Sequence, residues 1–335
     1  MSEKLVVIGD GAMGTVCSMI LAQKGYGVRW WGYSGEQMGQ IERDRENKRF
    51  FPGYKLPLSI EVTADDTRVF DDVGLVISAV PCKFVRGVWE RLAGVMGGGL
   101  PVVSITKGIE NNTLMRPTQI IAEVTGERKL AALSGPNIAD ELARGLPATS
   151  TVASVDEALA EDVQKLFSTN WLRIYTNSDI VGVELAGATK NVIAIAAGII
   201  DGMQMGDNAK AALLTRGLVE ISRLGVAMGA QADTFTGLSG MGDLVTTCVS
   251  PKGRNRTFGS MIGKGMSVAE ALGAIAGEVE GVNTCRSVVK LAEDYQVEMP
   301  ITLAVAGILF EGKSVEQALG ELMTRKLKAE GEVIS

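Results

Sequence analysis

An α/β domain with a mainly parallel sheet, followed by an all-α C-terminal domain, is the fold class this 335-residue sequence predicts. Three observations predict it. Short β-branched runs alternate with helical segments through the first half of the chain. After about Asn177 the strand signals stop, and only helical patterns follow, punctuated by glycine and proline. The length suits two domains, and 46% hydrophobic residues are enough for two cores.

Taken in order, the expected strands are residues 5–8, 28–31, 60–62, 75–80, 102–106, 130–133, 149–153 and 172–175, with a helical segment at 15–24 after the first. Pro81 stops the strand ending in Ser78-Ala79-Val80. The helices expected afterwards are 180–200, 209–228, 257–262, 268–276, 285–295 and 301–310. A change of composition, not a linker, separates a first domain of residues 1–178 from a second of 179–335. A helical domain packed directly on the first would form a cleft, the usual place for a ligand.

The net charge of −6 speaks against a nucleic-acid partner, so any anionic substrate needs a local cluster of cations. Cys17, Cys82, Cys248 and Cys285 are widely spaced and the chain has no histidine, which suits a reducing cytoplasm and argues against a metal site. Met1-Ser2-Glu3-Lys4 runs straight into the first strand and leaves no room for a signal peptide. The longest apolar stretch, 192–200, is too short to cross a bilayer.

The strongest local signal is Gly9-Asp10-Gly11-Ala12-Met13-Gly14, a G-x-G-x-x-G sequence between an apolar strand and a helix. Gly9 permits the tight turn, Gly11 lets backbone approach a pyrophosphate, and Gly14 lets the helix pack on the strand. Free N–H groups at the helix start would then face the phosphates. This makes the first domain Rossmann-type. About twenty residues on, where an NAD-specific fold places Asp or Glu on the ribose 2′-hydroxyl, the chain reads Trp30-Trp31-Gly32-Tyr33-Ser34. No carboxylate stands there to repel a 2′-phosphate, and Ser34 could bond one, but no arginine clamp is evident. The balance leans to NADPH over NADH and leaves use of both open; a plain turn is the competing reading.

Lys107 follows an apolar strand at the carboxyl edge of the sheet, where ligands bind in such folds. Gly135-Pro136-Asn137-Ile138-Ala139 repeats the theme, a glycine turn opening a helix. In the helical domain Val183, Gly187, Lys190, Ala194 and Ala197 share one helix face. A lysine among small and apolar neighbours is partly desolvated, and its lowered pKa makes it a candidate proton donor and acceptor in a chain without histidine. A snorkelling surface lysine is the alternative. Three glycines crowd Asp243, and Gly253-Arg254-Asn255 opens a helix in a way that suits a phosphate. Capping by Asp243 and surface ion pairs of Arg254 are the plainer readings.

Read together, GDGAMGT (9–15), SAVPC (78–82), TKGIE (106–110), LSGPNIADELARGLP (133–147), GVELAGATKNVIAIAAGI (182–199), GLSGMGDLVTTC (237–248), GRNRTFG (253–259) and EVEG (278–281) resemble the bacterial NAD(P)-dependent glycerol-3-phosphate dehydrogenase family over nearly the whole chain. That resemblance implies reduction of dihydroxyacetone phosphate to sn-glycerol 3-phosphate by hydride from NADH or NADPH, feeding glycerophospholipid synthesis. Carried to matching positions, it implies Lys190 as proton donor and acceptor, with Asn191 and Asp243 orienting it or the substrate hydroxyl. Lys107, Gly135, Asn137, Lys190, Asp243, Gly253, Arg254 and Asn255 would line the substrate. Gly9, Gly11, Ala12, Met13, Gly14, Tyr33, Lys107, Ala139, Arg254, Glu278 and Glu280 would hold the cofactor. The chain departs from the family at Ala12-Met13, usually Ser and an aromatic; at Tyr33, usually His or Arg; at Asn137, usually Ser or Thr; and at Gly253, usually Ser.

Two rivals stay open. One is a β-hydroxyacid or ketopantoate-type reductase with a catalytic lysine, which would hold a carboxylate in place of a phosphate. The other is a non-catalytic Rossmann nucleotide sensor. The partner expected is a small phosphorylated substrate, with no nucleic acid or membrane segment, a cytoplasmic location, and homodimer formation left open.

Overall fold

The computed structural model describes residues 4–327 and 329. Met1, Ser2 and Glu3, on which the N-terminal expectation rests, lie outside the described residues, as do Lys328 and residues 330–335. The chain divides into two compact units: residues 1–106 with 117–180, and residues 107–116 with 181–335.

The first unit runs β1 (Lys4–Ile8), α1 (Ala12–Gln23), β2 (Val28–Trp31), α2 (Gly35–Asp44), β3 (Glu46–Asn47), β4 (Phe51–Lys55), β5 (Ile60–Thr63), β6 (Val73–Ser78), α3 (Cys82–Ala93), β7 (Val102–Ser104), α4 (Pro117–Thr125), β8 (Leu130–Ser134), α5 (Ala139–Ala143), β9 (Ala148–Ala153), α6 (Glu157–Phe167) and β10 (Leu172–Asn177). Eight of these strands form one sheet in the order β10-β9-β8-β7-β6-β1-β2-β5. Its pairings are parallel except β8 with β9, so the sheet is mainly parallel as expected. Val6, Val7, Ile8, Trp30, Trp31, Ile77, Val102 and Val103 are essentially inaccessible, which is why these strands read as continuous apolar runs. Each such side chain contributes about 1.5–3 kcal/mol of burial. The hairpin β3–β4 was not legible in the sequence: Pro52 and Gly53 interrupt its second strand.

The second unit contains α7 (Ile180–Gly202), α8 (Gly206–Ala227), α9 (Ala232–Thr236), a π-helical turn (Leu238–Gly242), α10 (Asp243–Val249), α11 (Arg254–Gly263), α12 (Val268–Gly273), α13 (Glu280–Asp294), α14 (Pro300–Phe310) and α15 (Val315–Met323). Among its described residues there is no strand. Every residue of α7 from Gly182 to Ile199 is buried, so it is the core helix around which the unit is built. By length and composition α7 could cross a membrane, which the apolar run 192–200 alone did not suggest, yet 94% of its most apolar window is buried inside the protein.

Glycines decide how closely α11 and α13 approach α7. A Cβ on Gly198 would sit 2.0 Å from the Arg256 carbonyl oxygen, and one on Gly259 would sit 2.0 Å from that of Ile195. Gly202 and Gly263 repeat the contact one turn on, so α7 and α11 pack backbone to backbone. Gly281 of α13 does the same at the Asn191 carbonyl, 2.6 Å from its would-be Cβ. Three helices therefore meet beside Lys190 because small residues are placed there.

Candidate active site

In the first unit, Gly9 takes φ +117°, and a Cβ there would stand 2.7 Å from the Ala79 carbonyl oxygen. A Cβ on Gly14 would collide with the Gly9 carbonyl oxygen at 2.0 Å, so the helix packs as close as the sequence implies. A Cβ on Gly11 meets no atom within 4 Å, leaving the approach to its backbone open. The loop carbonyls are held inward: Trp30 Nε1 donates to Gly9 O at 2.8 Å, and Asn47 Nδ2 donates to Asp10 O at 2.8 Å and to Thr15 Oγ1 at 2.9 Å. Gly11 begins α1 without a side-chain cap, so the N–H groups of the first turn, Ala12 and Met13 among them, are available to an anion. These features fit a dinucleotide pyrophosphate. Burial pushes the Asp10 carboxyl above its ordinary pKa.

Sequence reasoning missed Asn47. It is fully buried, and its Oδ1 also accepts from Gln37 Nε2 and Phe50 N, so one side chain fastens the loop to α2 and to the hairpin. It also found no arginine near Tyr33; Arg91 of α3 stands there, its guanidinium 4.7 Å over the Tyr33 ring. The Ser34 hydroxyl accepts from Gln37 N at 3.3 Å and caps α2.

Gly135 takes φ +143° at the end of β8, where a Cβ would stand 2.8 Å from Ser150 Cα. Close pairing with β9 therefore gives this glycine a packing reason as well. Asn137 follows it half-buried, and Ala139 opens α5, which packs on the glycine-loop helix α1.

In the second unit the arrangement is denser. Lys190 is 5% exposed at the centre of α7. Its ammonium donates to Asp243 Oδ1 at 2.5 Å and to Thr247 Oγ1 at 2.6 Å. The other Asp243 oxygen accepts from Lys107 Nζ at 2.6 Å. One carboxylate, 3% exposed, thus bridges two lysines from distant parts of the chain. Burial lowers the Lys190 pKa to about 8, Asp243 pulling it up and Lys107 pushing it down. Such a group is mostly ammonium at neutral pH yet gives up its proton within reach of it. Asp243 owes its place to the π-helical turn just before it, in which Gly240 packs on Phe235 with room for no Cβ. Thr247, one turn further along α10, was missed, although Thr at i+4 from Asp243 shares its helix face.

Asn191 is buried next to Lys190 in sequence, but among the described residues its side chain makes no hydrogen bond to Lys190 or Asp243. At the start of α11, Gly253 occupies the cap position without a side-chain bond, Arg254 is exposed, and Asn255 is buried with Oδ1 accepting from Gly281 N at 2.9 Å. A Cβ on Gly277, at φ +88°, would stand 2.7 Å from Arg254 Nη1, so this glycine makes room for the guanidinium. An uncapped helix start beside an arginine can bind a phosphate. Glu278 and Glu280 lie in the same approach to α13. Among the expected residues, Lys107, Lys190 and Asp243 are in direct contact, and Asn191 and Asn255 meet at Gly281, not itself an expected site residue, where α7, α11 and α13 cross.

Comparison with known proteins shows the family. The family models described as NAD-dependent glycerol-3-phosphate dehydrogenase N-terminus and C-terminus match residues 4–160 and 179–320. A protein of Bacillus cytotoxicus named glycerol-3-phosphate dehydrogenase [NAD(P)+] is 46% identical over 99% of this chain and 98% of its own length. One of the same name from Citrifermentans bemidjiense is also 46% identical, over 99% of this chain and all of its own. The crystal structure of glycerol-3-phosphate dehydrogenase from Coxiella burnetii superposes with TM-score 0.93 at 35% identity, covering 96% of this chain and 99% of that one. A ketopantoate reductase from Ralstonia eutropha shares the fold alone, at TM-score 0.59 and 13% identity over 91% of this chain and 97% of that one. The two family matches and the full-length identities place the chain in the NAD-dependent glycerol-3-phosphate dehydrogenase family.

Proposed function

We infer that this protein reduces dihydroxyacetone phosphate to sn-glycerol 3-phosphate with NADH or NADPH, reversibly, supplying glycerophospholipid synthesis. Within the family, the observation that carries this reading is the buried Lys190 held by Asp243, with its pKa lowered to about 8. The bound cofactor supplies the hydride. As the ketone oxygen gains charge, the Lys190 ammonium bonds it and delivers a proton; in oxidation the neutral amine takes that proton back. Asp243 keeps the ammonium charged and aimed, and Thr247 fixes its second direction. Asn191 would orient the substrate hydroxyl.

For the anionic end, we propose Arg254, Asn255 and the backbone at Gly253 as the phosphate site, with Lys107, Gly135 and Asn137 completing the substrate contacts. The absent serine at Gly253 leaves the helix N–H groups without a competing hydroxyl. For the cofactor we propose Gly9, Gly11, Ala12, Met13 and Gly14 at the pyrophosphate, and Tyr33, Lys107, Ala139, Arg254, Glu278 and Glu280 around the rest. On this reading residues 1–178 form the dinucleotide domain and 179–335 the substrate domain, with Lys107 serving the second. The cytoplasm is the proposed location and the small phosphorylated ketone the proposed partner, without nucleic acid.

The test is oxidation of NADH or NADPH on adding dihydroxyacetone phosphate, ketopantoate or a 3-oxo acid. Turnover with the phosphorylated ketone alone is expected. Turnover only with a carboxylate substrate overturns the assignment in favour of a reductase of that class, and no turnover with any ketone favours a sensor.

A further inference from the structure

NADH and NADPH differ by one phosphate on the adenosine ribose 2′-oxygen, and dinucleotide folds read that position at the end of the second strand. There the sequence offers only Tyr33 and Ser34. The fold brings an arginine from elsewhere. Arg91, on the last turn of α3, donates from Nη1 to the Tyr33 carbonyl oxygen at 3.1 Å, and its guanidinium lies 4.7 Å from the Tyr33 ring centroid and 5.1 Å from that of Trp31. Nε and Nη2 grip Asp66 at 2.6 and 2.9 Å, and Trp31 Nε1 fixes the same carboxylate at 3.0 Å. Guanidinium has five N–H groups; three make these bonds, and the Tyr33 side chain adds a further polar interaction with the guanidinium. The Arg91 side chain is 31% exposed and Tyr33 is 60% exposed, so both are open to a ligand.

We propose that Arg91 is the residue that binds the 2′-phosphate of NADPH, and that Asp66 sets how strongly it does so. The 2′-phosphate brings more than one negative charge to a place where Arg91 and Asp66 together sum to nearly none. Arg91 supplies directional donors, while Asp66 repels the same phosphate through the shared guanidinium, so neither cofactor is excluded. NADH, lacking the phosphate, is indifferent to both.

This proposal rests on the reading of the protein as an NAD(P)H enzyme, and its test separates the two. The ratio of kcat/KM for NADPH to that for NADH, with dihydroxyacetone phosphate, is measured alongside fluorescence titration of each cofactor. Arg91→Ala should lower the NADPH/NADH ratio about ten- to a hundred-fold, the worth of charge-assisted bonds to a phosphate, with NADH constants within about three-fold of the parent. Asp66→Asn keeps Oδ1 as acceptor for Trp31 and Arg91 Nη2 while removing the charge and the acceptor for Arg91 Nε, so it frees the guanidinium for the phosphate and should raise the ratio about ten-fold. If the alanine variant binds neither cofactor, Arg91→Gln, which retains a donor for the Tyr33 carbonyl, gives the same comparison. A ratio unchanged in both variants overturns the proposal. Should dihydroxyacetone phosphate not be turned over at all, the activity reading fails, and the titration ratio alone still decides the role of Arg91.

Discussion

Replacing Asp243 by Asn removes one charge and almost no volume. The carboxylate is buried and stands 2.5 Å from Lys190 and 2.6 Å from Lys107, so the variant leaves two ammonium groups facing a neutral amide. Two outcomes compete. Stranding a buried ion costs about 3–5 kcal/mol. Lys190 has an easier route: with its pKa already at about 8, losing the proton at pH 7 costs at most about 1.4 kcal/mol. The second route wins, so Asp243→Asn should fold and carry a neutral Lys190 at neutral pH. Charges about 3 Å apart at an effective dielectric near 20 attract by about 5 kcal/mol. Shared between two lysines, that moves the Lys190 titration to acid by about two pH units. Ketone reduction needs the ammonium, so kcat for NADPH oxidation at pH 7 should fall about ten-fold from protonation alone and recover as the pH is lowered. Initial rates across the range from about pH 5.5 to 9 read this directly. A uniform loss at every pH, with no displaced profile, would refute the charge argument and assign Asp243 to substrate binding.

Three further outcomes are expected. Gly11→Val fills the open space beside the loop backbone and should abolish NADPH and NADH binding by fluorescence titration while the fold survives; unchanged affinity removes the loop from the site. Arg254→Ala should cost about 2–4 kcal/mol in kcat/KM for dihydroxyacetone phosphate and far less for dihydroxyacetone, whereas equal losses would mean that Arg254 serves the cofactor or the fold. Glu220 is buried under α14, where it accepts from Ile301 N and Thr302 N, and burial raises its pKa from 4.5 to about 7. A raised folded-state pKa gives stability that is fully present below about pH 4.5 and lost as the pH rises to about 7. Denaturant titrations should therefore show that slope flattened in Glu220→Gln; an unaltered slope assigns it to other groups.

The central strands β1, β2, β6 and β7 were legible because parallel strands buried on both faces are apolar runs; the edge strands β5 and β10, half-exposed, were legible from their β-branched residues and flanking turns, and the glycine loop was legible because its spacing is local. The helical unit was harder. The helices α9 and α15 went unseen, although Ser314 and Gln317 form a capping box that starts α15 in plain view, and α10 entered only through the plainer reading of Asp243 as a helix cap. Lys190 could be found from its small neighbours on one helix face. Asn47, Gly277 and Arg91 could not, because each matters through a partner distant in sequence: Arg91 meets Tyr33 across 58 positions and Asn47 meets Asp10 across 37; Thr247 was signalled only by its place one turn after Asp243. Gly135 shows the opposite limit, since its pairing with Ser150 would demand a glycine with or without a ligand.

The central claim is that Lys190 carries the proton, and Lys190→Met tests it most directly, keeping the length and apolar stem while deleting the ammonium. NADPH should bind the variant with parental affinity, and turnover of dihydroxyacetone phosphate should fall by about 10²–10⁴-fold, the usual worth of a positioned acid or base. Lys190→Arg should not restore it, because guanidinium keeps its proton at any working pH. Retention of more than about a tenth of the parental rate in Lys190→Met, well short of the loss of a general acid, would contradict the account and turn attention to Lys107.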